Sequence, residues 1–138
     1  MATIESSIQI NAPVDKVWEI VSDIDNEPEF WKGTKEVRNI SKEEGIVKRE
    51  ITIAFRDQKC LQDVKLHPKE KIEAVFTKGI IDGTKTINLI PQDGQTMLEA
   101  KWDIKLTGMM GMFTGMIKKH IKSGTEQALQ NIKERVER

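Results

Sequence analysis

The sequence predicts an α+β domain in which a curved, seven-stranded antiparallel sheet wraps around one long C-terminal helix, with two short helices after the first strand. Between residues 35 and 106, apolar and polar residues alternate in short runs separated by turn residues, which is typical of sequential antiparallel strands. From Met110 onwards, apolar residues recur every three or four positions for about 25 residues. A helix of that length is too long for a satellite element, so the sheet is expected to wrap around it.

The N-terminal segment supplies the first strand and the two short helices. Residues 4–10 alternate between isoleucine and polar side chains, which predicts a half-buried strand. Asn11 is expected to cap a helix over residues 12–21, with Pro13 in its first turn. The polar stretch 23–31 predicts a short second helix or a turn.

Six further strands are predicted, because turn residues that tolerate positive φ separate the alternating runs. The strongest turn signals are Asp82-Gly83 and residues 91–94, and both are expected to close hairpins. The alternation that begins at Val47 is expected to continue to Phe55. We place the six strands at about residues 35–41, 47–55, 59–67, 72–76, 84–90 and 98–106.

Composition narrows the class of protein. The chain has 138 residues, with 22 Lys and Arg against 22 Asp and Glu, so it lacks the basic surplus typical of nucleic-acid binding. A single cysteine, Cys60, allows no internal disulfide, and the N-terminal residues do not resemble a secretory signal. We therefore expect a cytoplasmic protein that contacts no nucleic acid and is a monomer or a weak dimer.

Common catalytic and metal-binding motifs are missing from the sequence. His67, His120 and Cys60 are not paired at metal-ligand spacing, so we expect no metal and no cofactor. There is no G-x-S-x-G, P-loop or G-x-G-x-x-G motif. No residue is assigned a catalytic role on this basis.

Arg49 is the polar residue that most needs an explanation, because it shares a strand face with apolar residues. If that face is concave, the guanidinium needs a partner, since an unpaired buried charge is very costly. It would then contact a ligand carbonyl or carboxylate. Alternatively, the face is exposed at this point, or Arg49 pairs with an acidic residue of a neighbouring strand. Gln62, Lys85 and Lys78 pose the same question with less force.

A segment rich in methionine and glycine, from Met109 to Ile117, begins the long helix. Methionine adapts to varied apolar partners, and glycine weakens the start of a helix. The segment predicts a mobile cavity entrance or a patch that contacts a membrane or another protein. Lys118, Lys119 and Lys122 would then meet anionic head groups. Ordinary core packing at a frayed helix start is the alternative.

The run Ile10-Asn11-Ala12-Pro13-Val14-Asp15-Lys16-Val17-Trp18, together with the element order, resembles the SRPBCC superfamily of START-like, helix-grip proteins. The sequence is most similar to their polyketide cyclase/dehydrase and coenzyme Q-binding branch. In this superfamily an I-x-A-P-x-x-x-V-W run marks the end of the first strand and not a chemical site. The resemblance covers the whole chain and implies one helix-grip domain, residues 1–138, with a cavity between sheet and helix. The glycine-rich loop of the plant allergen branch is absent.

Superfamily members bind sterols, lipids, quinones, polyketides or plant hormones in that cavity, and some are cyclases or dehydratases. The resemblance therefore implies that this chain binds an apolar small molecule (a lipid, a quinone or a polyketide-like molecule) as a carrier or accessory protein. The expected cavity lining is Arg49, Ile51, Ile53, Phe55, Phe76, Leu98, Trp102, Ile104, Met110, Phe113 and Ile117.

Two other functions stay open. One is a polyketide cyclase/dehydratase-type enzyme that uses the same cavity, with Arg49 and a carboxylate, Asp63 or Asp103, as working groups. The sequence has no tyrosine, and this absence favours the carrier over the enzyme. The other is an accessory protein that docks on a partner or a membrane through the methionine-rich segment.

Overall fold

Seven strands form one antiparallel sheet, in the order β1-β7-β6-β5-β4-β3-β2. The structure is a computed structural model that describes residues 2–138. Each strand from β2 to β6 pairs with the next along the chain, and β1 pairs with β7. The predicted architecture and the predicted number of strands are confirmed. The strands are β1 (Ala2–Ile10), β2 (Thr34–Glu43), β3 (Ile46–Ile53), β4 (Lys59–His67), β5 (Lys71–Lys78), β6 (Ile81–Gln92) and β7 (Gln95–Leu106).

Two short helices connect β1 to β2, as predicted. Helix α1 (Val14–Val21) is amphipathic, and a 3-10 turn (Ile24–Asn26) leads from it into α2 (Glu27–Phe30). The predicted cap is wrong, because Pro13 is the N-cap residue of α1 and no side chain caps the helix. Asn11 lies two residues before that position, too early to reach the free N–H groups of the first turn.

The predicted Asp82-Gly83 hairpin is wrong, because both residues lie inside β6. The chain instead reverses at residues 79–80, between β5 and β6. Gly83 has a φ of 129°, and a Cβ at this position would overlap the carbonyl oxygen of Asp103 on β7. The glycine therefore permits close approach of two strands and does not form a turn.

Two other strand ends differ from the prediction. Strand β3 stops at Ile53, and Phe55 begins a 3-10 turn (Phe55–Asp57) that joins β3 to β4. Strand β6 continues through Pro91, so the chain turns only at Asp93 and Gly94, whose φ values are 49° and 82°. Such positive values suit the tight turns that join adjacent antiparallel strands.

Helix α3 (Thr114–Glu137) packs against β1 and β7, and α1 and α2 pack against it. A 3-10 segment (Gly108–Phe113) precedes it, so the α-helix begins after Met110 and not at that residue as predicted. Within residues 2–138, no helix has the length and apolar character needed to cross a membrane.

Buried apolar residues form two clusters along the sheet. The larger, which we call the packed core, lies under the C-terminal half of α3 and includes Val17, Leu98, Leu129 and Ile132. The second, which we call the cavity cluster, includes Ile51, Phe76, Ile104 and Ile117. Trp102 packs against both clusters and marks the border between them.

Candidate functional site

A cavity of about 340 Å³ lies between the sheet and the N-terminal part of α3. One water molecule takes about 30 Å³ in the liquid, so this space is large enough for a small organic molecule. Most of the wall is apolar, as in most ligand sites. The apolar wall is formed by Trp31, Ile51, Ile53, Phe55, Phe76, Ile81, Trp102, Leu106, Ile117 and Ile121.

The cavity has an exposed side. Gly33, Ala54, Met116 and His120 belong to its lining and are themselves exposed to solvent. They come from the loop before β2, from the end of β3 and from the first turns of α3. We take this rim as the mouth of the cavity.

A buried ion pair lies on the polar side of the cavity. Arg49 on β3 is only 2% exposed, and its Nη2 donates to Oε1 of Glu27 on α2 over 2.6 Å. Arg49 also donates from Nε to Oε1 of Gln62 (2.9 Å) and from Nη1 to the carbonyl oxygen of Ile24 (3.1 Å). Thr34 Oγ1 donates to the second carboxylate oxygen of Glu27 over 3.0 Å. The guanidinium and the carboxylate are therefore both well satisfied.

Lys85 on β6 is the second buried cation of the site. Its ammonium lies 3.4 Å from the centroid of the Trp31 ring and 4.8 Å from that of the Trp102 ring. The nearest carboxylate oxygen is Oε2 of Glu27, at 3.9 Å, which is beyond hydrogen-bond distance. Two tryptophan faces therefore replace part of the water that this cation loses on burial.

Burial and charge shift two pKa values in this cluster. Burial lowers the pKa of Lys85 to about 8, although the charge of Glu27 opposes the shift and that of Arg49 adds to it. Burial alone raises the pKa of Glu27, but the charges of Lys85 and Arg49 and the hydrogen bonds from Arg49 and Thr34 outweigh it. The pKa of Glu27 therefore lies below its ordinary value, and the carboxylate stays ionised at neutral pH.

Aromatic rings and one hydroxyl fix the wall between the polar side and α3. The Trp102 ring stacks on Phe76 and meets Trp31 edge to face, with ring centroids 6.2 Å apart in both pairs. Trp102 Nε1 donates to Thr125 Oγ1 over 3.0 Å, and that hydroxyl donates to the carbonyl oxygen of Ile121 over 2.7 Å. The sheet and the helix are thus connected through the cavity wall.

The predicted lining residues fall into two groups. Six of the eleven belong to the cavity lining: Ile51, Ile53, Phe55, Phe76, Trp102 and Ile117. The other five do not belong to it. Leu98 lies in the packed core and Ile104 in the cavity cluster, Met110 and Phe113 pack on that cluster from outside, and Arg49 lies behind Glu27 and Gln62. Arg49 instead borders a separate void of about 40 Å³, which has room for about one water.

The proposed partners of Arg49 are corrected by the structure. Asp63 and Asp103 alternate with the inward residues Gln62 and Trp102, so they lie on the opposite face of the sheet. The carboxylate that pairs with Arg49 is Glu27, from a helix and not from a neighbouring strand.

The candidates Gln62 and Lys85 belong to the cavity lining, and so do Glu27 and Trp31, which were not among the predicted lining residues. Both of these lie in or beside α2, a helix of four residues whose docking on the sheet leaves no periodic signal. The one available signal was physical, since a buried Arg49 requires a carboxylate and Glu27 is acidic in the segment predicted to be a short second helix or a turn. Lys78, the remaining candidate, is exposed.

A family model described as "Polyketide cyclase / dehydrase and lipid transport" matches residues 1–137. No curated protein matches the sequence. The structure is similar to TTHA0849 from Thermus thermophilus, with a TM-score of 0.83 and 16% identity over 98% of this chain and 97% of that chain.

Two further solved structures have the same fold. One is the Zhui aromatase/cyclase from Streptomyces sp. R1128, with a TM-score of 0.80 and 16% identity over 99% of this chain and 94% of that one. The other is a START superfamily protein from Mycobacterium smegmatis, with a TM-score of 0.77 and 17% identity over 98% and 97%. At these identities the likeness shows the fold alone. The family match over nearly the whole sequence places this chain in the polyketide cyclase/dehydrase and lipid transport family.

Proposed function

We propose that this protein binds an apolar small molecule in the cavity between its sheet and α3, and acts as a carrier or accessory protein for it. The observation that supports this function most strongly is the cavity itself, about 340 Å³ in volume and walled by aromatic and aliphatic side chains. Burial of an apolar ligand there removes its surface from water without any new packing of the protein core.

A lipid, a quinone or a polyketide-like molecule fits this description. The family description names both lipid transport and polyketide chemistry, and the Zhui structure is that of an aromatase/cyclase. The cytoplasm stays the expected location, since the one cysteine, Cys60, is buried and forms no disulfide.

The first test is binding of N-phenyl-1-naphthylamine, a neutral apolar dye whose fluorescence rises on transfer from water to an apolar site. Gly124 lies on the inward face of α3 and belongs to the cavity lining, so Gly124→Leu places a side chain in the cavity. We expect dye affinity to fall about tenfold or more in this variant, because the ligand loses part of its buried area.

Gly115→Leu is the matched control, because it makes the same change in the same helix at an exposed position outside the cavity. Its dye affinity should equal that of the wild-type chain. Equal affinity in all three chains, or no dye binding at all, would contradict the proposed function. Native mass spectrometry of protein purified from a cell extract then identifies the ligand that co-purifies.

The enzyme alternative is favoured by one observation, the titratable pair of Lys85 and Glu27 beside the cavity. A cyclase/dehydratase-type enzyme releases its ligand with one water fewer, whereas a carrier releases it unchanged. The mass of a bound poly-β-ketone, extracted after incubation, separates the two functions.

The docking alternative is favoured by the exposure of the methionine-rich segment. Met109 and Met112 are 91% and 81% exposed, which is unusual for large apolar side chains. If this segment contacts a membrane, vesicles of anionic lipid should bind the wild-type chain but not the double variant Met109→Ser, Met112→Ser. No binding of the wild-type chain removes the membrane from this alternative.

A further inference from the structure

We propose that the ligand of this cavity carries an anionic oxygen group, of carboxylate chemistry, which Lys85 and Gln62 bind between the apolar wall and the Arg49–Glu27 ion pair. The inference rests on the proposed function and deepens it, because it adds a charged head to the apolar body of the ligand.

Lys85 and Gln62 each have a hydrogen-bond donor that no residue from 2 to 138 accepts. Lys85 is 6% exposed, and its Nζ donates no hydrogen bond to any residue from 2 to 138. Gln62 is 2% exposed and uses its Oε1 to accept from Arg49, so its Nε2 is the end that stays unpaired within the same range. Both residues belong to the cavity lining. Both donors are open to the cavity and have no hydrogen-bond partner in the described protein, so an acceptor on a ligand can pair with them there.

The other buried polar groups of the lining already have hydrogen-bond partners within the protein. Thr34 Oγ1 donates to Glu27, and Thr125 Oγ1 both accepts from Trp102 and donates to the carbonyl oxygen of Ile121. The carboxylate of Glu27 accepts from Arg49 and Thr34. What the buried part of the cavity leaves open to a ligand is therefore a set of donors, which selects a ligand group that accepts.

The buried charges on the polar side of the cavity do not balance. Arg49 and Lys85 together carry two positive charges against the one negative charge of Glu27, and the side chains of all three are at least 88% buried. An uncompensated buried cation is costly, and a ligand carboxylate beside Lys85 compensates it. His120, the other titratable residue of the lining, lies at the exposed mouth.

The test compares two ligands with the same alkyl chain, decanoate and 1-decanol, as competitors of N-phenyl-1-naphthylamine at pH 7. Decanol is the more apolar of the two, so partitioning alone favours it. We expect decanoate to displace the dye at a concentration at least about tenfold lower than that of decanol. A hydrogen bond to a charged group is among the stronger hydrogen bonds.

The variant Lys85→Met keeps the length and apolar character of the side chain and removes its charge. We expect it to lose the preference for decanoate, with the displacement by each competitor read against the dye affinity of the same variant. Lys118→Met, at an exposed position of α3, removes the same charge outside the cavity and should keep the preference. The comparison in the wild-type chain needs no variant, so the proposal stays testable even if Lys85→Met fails to fold.

The outcomes separate this inference from the proposed function. If the dye binds and the two competitors displace it equally, or if decanol displaces it better, the inference that the ligand carries an anionic group is overturned. The proposed binding of an apolar molecule in the cavity then still stands. Failure of the dye and of both competitors to bind overturns the proposed function and this inference together. A preference for decanoate that survives in Lys85→Met but not in Lys118→Met assigns the charge effect to the surface and also overturns the inference.

Discussion

The two halves of α3 pack differently against the same sheet. Its C-terminal half buries Ala128, Leu129, Ile132 and Val136, and these side chains fill the space above the sheet. Its N-terminal half buries Ile117 and Thr125, and both of these line the cavity.

This difference teaches where the fold gains its stability and where it can hold a ligand. Close packing in one half supplies dispersion contacts and removes apolar surface from water. The other half leaves its aromatic wall incompletely packed, which costs stability but provides a preformed site. The following substitutions test this division, in order of expected effect.

The largest effect is expected at the border of the two regions, where Glu27 pairs with Arg49. Glu27→Ala leaves two buried cations without a counter-charge, and we expect the free energy of unfolding to fall by about 3–5 kcal/mol. Urea denaturation measures the change. Glu19→Ala, at an exposed position of α1, is the control and should stay within about 0.5 kcal/mol of the wild-type chain. A loss of less than about 1 kcal/mol at Glu27 contradicts the assignment of a buried ion pair.

A pair of truncations compares the two halves of α3 directly. Leu129→Ala opens a new cavity in the packed core and is expected to cost about 2–5 kcal/mol. Ile117→Ala only enlarges an existing cavity, so its cost should be lower, about 1–2 kcal/mol, which is close to the transfer term alone. Denaturant titrations of both variants check this order. Equal losses would show that the two halves are packed alike.

The pH dependence of decanoate binding tests whether Lys85 supplies the positive charge on the polar side of the cavity. Because the pKa of Lys85 is about 8, its ammonium is charged at pH 7 and mostly neutral well above pH 8. Decanoate stays ionised over this range, since carboxyl groups in water titrate at about pH 4. We therefore expect decanoate affinity to be nearly constant below about pH 7 and to fall about tenfold as the pH rises from 7 to 9.5.

The same pH series in variants identifies the responsible group. Glu27 and Arg49 face Lys85 and keep their charges over this range, and His120 is the remaining titratable residue of the lining. His120→Gln should keep the fall in affinity, and Lys85→Met should abolish it. A fall that vanishes only in His120→Gln assigns the effect to the cavity mouth.

The smallest effect is expected at two glycines. Gly124→Ala adds a Cβ in open space within a helix and should raise the free energy of unfolding by up to about 1 kcal/mol. Gly83→Ala should lower it, because its Cβ overlaps the backbone of β7 and its φ is positive. Thermal unfolding distinguishes the two signs. Stabilisation by Gly83→Ala would contradict the close approach of β6 and β7.

The sheet and the long helix could be predicted from the sequence because apolar residues recur at a regular spacing in both of them. Strand β4 is found at the predicted residues 59–67, and the inward positions of Gln62, Lys85 and Trp102 follow from alternation. Asp82-Gly83 was misplaced because one dipeptide serves both tight turns and close strand contacts. Glu27 was missed because the docking of a four-residue helix depends on tertiary packing, which local spacing does not encode.

The pairing of β1 with β7 has a consequence for synthesis of the chain. Within residues 2–138, β1 is the first strand to be made, yet it pairs with β7, the last of the seven, with Ile8 opposite Leu98. Strands β2 to β7 can pair one after another as they emerge from the ribosome, whereas β1 has to wait for β7. The isoleucines that β1 buries in the folded sheet, Ile4 and Ile10, therefore stay exposed until β7 has been made.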